Sequence, residues 1–126
     1  MKESEVRTKS LAFDKRVVLL YQYLCAEKQE TVLSKQLLRN GTSVGANIAE
    51  AQHGSSCKGF LNKLYIALKE CAETLYCLEL LFSCGYLTPT EYQSLQKDCE
   101  ELRKRLSSIT QSLRDGKIPN SSFLIE

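Results

Sequence analysis

The sequence predicts an all-α fold, an antiparallel up-down four-helix bundle. Three observations carry this. In the stretch 88–114, apolar residues fall at Tyr92, Leu95, Cys99, Leu102, Leu106, Ile109 and Leu113, alternating steps of three and four as a core-facing helix requires. The stretch 57–82 repeats the pattern at Cys57, Leu61, Leu64, Leu68, Cys71, Leu75, Leu78 and Phe82. Short polar or glycine-containing breaks separate the periodic segments, and short links make successive helices antiparallel neighbours.

The first helix is expected over about Ser10 to Lys28, with Phe13, Val17, Leu20 and Leu24 inward and Val18 and Tyr21 widening the stripe. Gln29-Glu30-Thr31 breaks it, and Thr31 is placed to cap the next helix. The second helix then runs from Val32 to about His53, with Leu37, Gly41, Val44, Ile48 and Ala51 on one face. Gly54-Ser55-Ser56 ends it and offers a serine to start the third, expected from Ser55 to Cys84 and closed by Gly85. Thr88-Pro89-Thr90-Glu91 reads as a capping box with proline at the first helical position, and Gly116 ends the fourth helix. The whole chain, 1–126, reads as one domain. Residues 1–9 and 117–126 read as irregular tails, the second with an apolar Phe123-Leu124-Ile125 that could dock.

Composition is that of an ordinary globular chain, 43% hydrophobic and 25% charged. A net charge of +2 is too small to argue for nucleic acid by itself, though a local basic face remains possible. No apolar run is long enough to cross a bilayer, and the first residues lack the apolar core of a signal peptide, so a cytoplasmic protein without a membrane partner is expected. Six cysteines occur without a CxxC pair, and Cys57, Cys71 and Cys99 lie on apolar stripes, where reduced thiols behave as small hydrophobes.

Chemistry-bearing patterns are sparse. Glu50-Ala51-Gln52-His53 has the Glu-x-x-His spacing of di-iron bundles, but that centre needs a second such pair and this chain has one histidine. There is no Gly-x-Ser-x-Gly elbow and no phosphate loop, and Lys69, Glu70 and Glu73 read as a salt-bridged helix face. The expectation is a non-enzyme with no metal and no cofactor. Small residues at Gly41, Gly45 and Ala49 lie four apart, so another helix must approach closely enough to offset the helix propensity lost at each glycine, about 1 kcal/mol.

Surface logic points to self-association. Nearly opposite the core stripe of the third helix lie Ile66, Cys77, Leu80 and Cys84, with Lys69 and Glu73 among them. A second apolar stripe needs a second burial partner, most simply another copy of the chain. Lys9, Lys15, Arg16, Lys35 and Arg39 mark the first two helices as a basic surface. Repeated around a ring, such patches would add into a site for a phosphate backbone, mostly electrostatic and weakly sequence-selective.

Two blocks carry a family resemblance. Residues 36–51, with Arg39, Ser43 and the core Ala46-Asn47-Ile48-Ala49-Glu50, and residues 60–81, with Lys69-Glu70 and Glu73-Thr74, resemble the four-helix-bundle family that includes the 23S rRNA intervening-sequence proteins. The resemblance implies small bacterial proteins that form closed rings, typically pentamers, without catalytic residues. It also implies kinship with accessory proteins of diversity-generating retroelements, which partner a reverse transcriptase and RNA. Gly41, Ser43, Gly45, Asn47, Glu50 and Glu70 then read as structural motif positions. Relatives carry tryptophan where this chain has Cys77 and proline where it has Gly45. The functional expectation is a homo-oligomer, a pentamer by resemblance, binding RNA or a nucleoprotein partner such as a reverse transcriptase. The alternative is a protein-binding scaffold without nucleic-acid affinity.

Overall fold

Local capping sets the ends of each helix. In the computed structural model, which describes residues 4–53 and 56–116, the helices are α1 (Glu5–Glu27), α2 (Val32–Ala51), α3 (Cys57–Ser83) and α4 (Pro89–Arg114), with no strand among the described residues. The expected stop at Gly54, the Ser55 start and the tail from residue 117 lie outside the described residues.

Three ends match the sequence reading closely. Ser56 accepts from Gly59 N–H at 3.0 Å. Thr88 and Glu91 form the reciprocal capping box, at 3.1 and 2.8 Å. At the C-terminus of α3, Gly85 adopts a φ of 85° that residues with a Cβ avoid, and Tyr86 N–H reaches back to Leu81 C=O at 2.9 Å.

Two ends differ. α1 starts at Glu5, not near Ser10, because Ser4 caps it by accepting from Arg7 N–H and Val6 is already buried, so residues 5–9 are helical and not an irregular tail. Thr31 makes no capping bond. Glu30 does the work instead: its carboxylate accepts from Val32, Leu33 and Ser34 N–H at 3.3, 3.1 and 2.7 Å. Gln29, at a φ of 53°, turns the chain between Glu27 and this carboxylate.

The helices pack in sequence order, α1 on α2, α2 on α3, α3 on α4, and α4 back on α1, with no α1–α3 or α2–α4 packing among the described residues. Each seam pairs rising with falling residue numbers. On α1–α2, Val17 meets Gly41 while Ser10 and Asp14 meet Gly45. On α2–α3, Asn40 meets Cys77 and Glu50 meets Lys63. On α3–α4, Cys71 meets Cys99 and Phe82 stacks on Tyr92 at 4.6 Å. On α1–α4, Glu5 meets Arg105 and Arg16 meets Asp98.

The core contains Phe13, Val17, Leu24, Leu37, Val44, Ile48, Leu64, Leu78, Leu81, Leu102 and Leu106. On α3 the inward stripe is Phe60, Leu64, Ala67, Cys71, Thr74, Leu78 and Leu81, while Leu61, Leu68, Leu75 and Phe82 are only partly buried and Cys57 is exposed. Leu64, Cys71 and Leu78 point inward as expected, while Phe60, Ala67, Thr74 and Leu81 take the places expected of Leu61, Leu68, Leu75 and Phe82. Val18 faces solvent and widens no stripe. All six cysteines are free thiols, and Cys71, Cys77 and Cys99 are buried.

Gly41 marks the closest approach. A Cβ there would lie 3.0 and 3.1 Å from the two methyls of fully buried, β-branched Val17. Gly41→Ala is therefore expected to destabilise by about 1–2 kcal/mol, since overpacking of about 1–3 kcal/mol outweighs the gain in helix propensity. In a Val17→Ala background the same substitution is expected to stabilise. Urea unfolding of the four chains checks this reversal of sign.

Desolvation pushes the Glu30 carboxyl up, but the hydrogen bonds from Ser34, Leu33 and Val32 outweigh it and leave the pKa below its ordinary 4.5. That stability is present above 4.5 and lost as pH falls through the lowered value. Glu30→Gln is expected to cost about 1 kcal/mol at pH 7. The gap to the parent chain closes in acid, as thermal unfolding across pH would read.

Candidate interaction surfaces

The basic residues singled out in the sequence do not form one free patch. On the α1–α4 seam, Lys9 Nζ pairs with Glu101 Oε1 at 2.8 Å and Arg16 with Asp98 Oδ2 at 2.6 Å. Arg16 also donates to Ser94 Oγ at 2.9 Å, and Arg105 reaches Glu5 at 2.8 Å. Lys9, Arg16, Asp98 and Glu101 thereby line a cleft of about 160 Å³ in which cations and carboxylates alternate. Lys9 holds the Glu101 carboxyl below its ordinary range. Two of the five expected nucleic-acid contacts are thus engaged by α4. Lys15 and Lys35 are exposed and make no ion pair among the described residues, and Arg39 reaches only Gln36 Oε1, at 3.4 Å.

Cys77 is corrected from an interface residue to an interior one. It is buried on the α2–α3 seam, its sulfur 3.5 Å from the Asn40 amide, and burial raises its thiol pKa. Among the other expected interface residues, Ile66, Lys69 and Cys84 are exposed, while Glu73 and Leu80 are half-buried.

Asn40, which sequence reasoning passed over, is the centre of a polar cluster. With Nδ2 turned toward the carboxylates, it donates to Glu70 Oε2 at 3.3 Å and Glu73 Oε2 at 3.2 Å, and Oδ1 accepts from Gln36 Nε2 at 3.2 Å. Desolvation, then the neighbouring Glu73 charge and its hydrogen bond, raise the Glu70 pKa against the lowering effect of Lys69. A buried asparagine on an otherwise apolar stripe was the signal that could have found this cluster, since such an amide must find partners.

Asn47 Nδ2 donates to Ser43 C=O at 2.8 Å, and Glu50 pairs with Lys63 at 3.3 Å. His53 is exposed, and no group of three or more His, Cys, Asp or Glu side chains among the described residues is placed to hold a metal ion. Among those residues no helix is long and apolar enough to cross a membrane.

Gly45 gives room to Asp14, whose carboxylate stands where a Cβ would be. Asp14 Oδ1 is buried without a hydrogen-bond partner among the described residues. Burial raises its pKa to about 7 against the lowering effect of Gly45 N–H. It borders a cleft of about 240 Å³ between α1 and α2 and a more open, almost wholly apolar groove of about 420 Å³ formed by Leu11, Lys15, Val18 and Leu19. Leu19 is 65% exposed and Leu11 57%. On α3, Tyr65, Ile66 and Tyr76 are the exposed large apolar residues.

Because Glu70 has a raised pKa, its contribution to stability is full below 4.5 and is lost as pH rises through the raised value. Glu70→Gln is therefore expected to raise the melting temperature at pH 7 and to change it little near pH 4, as differential scanning calorimetry would show.

The family model for 23S rRNA-intervening sequence proteins matches residues 2–108. The chain is also similar to a crystal structure of a protein of unknown function from the S23 ribosomal protein family of Bacteroides thetaiotaomicron. The two are 51% identical with a TM-score of 0.83, over 84% of this chain and 98% of the other. No curated protein matches the chain.

Proposed function

The chain belongs to the 23S rRNA-intervening sequence protein family, and from that premise we propose a non-enzymatic, single-domain, antiparallel up-down bundle that self-associates, as a pentameric ring, and binds RNA through a shared basic surface. The observation that supports the RNA half is the pair Lys35 and Arg39, one helical turn apart on the exposed side of α2 and without a carboxylate partner among the described residues. Lys15 adds a cation on α1. Lys9 and Arg16 contribute little, because Glu101 and Asp98 neutralise them locally. Repetition around a ring multiplies a modest charge per subunit into a surface that a phosphate backbone can follow. The reading places the protein in the cytoplasm, with RNA or a reverse-transcriptase-like nucleoprotein as partner.

A scaffold that binds only protein is the second reading, and a specific observation favours it: two of the five expected cations, Lys9 and Arg16, are engaged in the α1–α4 ion pairs, while apolar side chains on α1 and α3 lie open.

Fluorescence anisotropy with a labelled, structured RNA separates the two. On the RNA reading, affinity falls steeply between roughly 50 and 200 mM salt. Lys35→Glu with Arg39→Glu is expected to weaken binding by on the order of tenfold or more, and Lys9→Ala to change it little. Binding that is absent, or insensitive to both salt and the double substitution, removes the RNA half and leaves the scaffold.

A further inference from the structure

We infer that the seam between α1 and α2 is a proton-operated joint, closed while the Asp14 carboxyl is neutral and parted when that carboxyl ionises. The inference is independent of RNA binding and of assembly.

The geometry of one side chain motivates it. Asp14 Oδ2 stands where a Cβ on Gly45 would be, so the carboxyl fits between the helices only because α2 has a glycine there. Oδ1 is buried and has no partner among the described residues. The cleft of about 240 Å³ runs alongside, and α2 lines it with Gly45, Ala46 and Ala49, none of them charged. A neutral carboxyl tolerates this setting. An ionised one does not, because a charge withdrawn from water without donors costs far more than a neutral polar group.

The neighbouring groups give the charge little relief. On α1, Arg7 and Ser10 line the same cleft and Lys15 lines the groove beside it, but Ser10 Oγ donates to Arg7 C=O at 2.8 Å. On α4, Cys99 lies near enough for the Asp14 charge to push its buried thiol pKa up, while Asp98 and Glu101 are held by Arg16 and Lys9. From α2 comes only Gly45 N–H, which desolvation outweighs, leaving the Asp14 pKa at about 7. The single histidine, His53, lines neither the cleft nor the groove. Water is then the remaining source of donors, and it reaches Oδ1 only if the two helices part.

Parting exposes Asp14 and returns its pKa toward the ordinary 3.8. The raised value therefore favours the closed seam fully below 3.8, and that preference is lost as pH rises to about 7. Between those values one linked proton makes the opening equilibrium grow about tenfold per pH unit.

Native-state hydrogen exchange on the whole chain, corrected for the intrinsic pH dependence of amides, tests the joint. The amides of Gly45, Ala46 and Ala49 are expected to lose roughly a hundredfold in protection between pH 5 and pH 7, with little dependence on added urea, the mark of a local opening. Asp14→Asn, which keeps the shape and cannot ionise, is expected to abolish that loss. In carboxyl carbon NMR, Asp14 of the parent chain is expected to titrate near 7. Gly45→Ala, which displaces Oδ2 toward the cleft, is expected to move that midpoint down by a unit or more, on the order of the relief that rehydration gives a buried carboxyl. A parental midpoint near 4 overturns the inference, as does a loss of protection that persists in Asp14→Asn. Exchange at the seam that follows urea as steeply as exchange in α3 also overturns it, since the chain would then open only as a whole.

Discussion

The bundle depends on how closely α2 approaches its two neighbours. Gly41 lets Val17 of α1 come within van der Waals contact of the α2 backbone. On the other side of the same helix, Asn40 reaches two glutamates of α3. These adjacent residues fix α2 against α1 by an absent side chain and against α3 by a fully partnered one. Glycine in a helix interior and a buried amide are each unfavourable alone. Together they specify a register, because shifting α2 along either neighbour would lose the close approach and strand the amide.

The same geometry explains where polar groups go. Asp14 sits beside Gly45, one turn of α2 beyond Gly41. The space that glycine leaves is filled by a carboxylate in place of a methyl, so this seam changes from tight apolar packing to a cleft within one helical turn. Cys77 lies on the α2–α3 seam, its sulfur 3.5 Å from the Asn40 amide.

Much of the fold was legible in the sequence, and the reasons are physical. Capping boxes and terminating glycines act over three or four residues, so the Thr88–Glu91 start and the Gly85 stop could be read directly. The start of α1 was missed because its first turns bury little beyond Val6 and Ser10, leaving no stripe to see. The stripe of α3 was read correctly at Leu64, Cys71 and Leu78 and one residue off at the positions between, because apolar side chains occupy several of its faces. Periodicity alone cannot say whether Leu61 and Leu68 or Phe60 and Ala67 point inward. The basic surface was only partly legible: Lys9 and Arg16 meet their carboxylates, Glu101 and Asp98, on α4, a distance no local pattern spans.

One consequence follows from the α1–α4 seam. It has the least packing of the four seams, and charged pairs decorate its rim. The chain is continuous from α1 through α4, so this is the one lateral junction without a covalent link across it. It works as a clasp. Opening there would let the two terminal helices swing apart while the remaining junctions stay shut, and dissolved ions that screen the rim would ease the release.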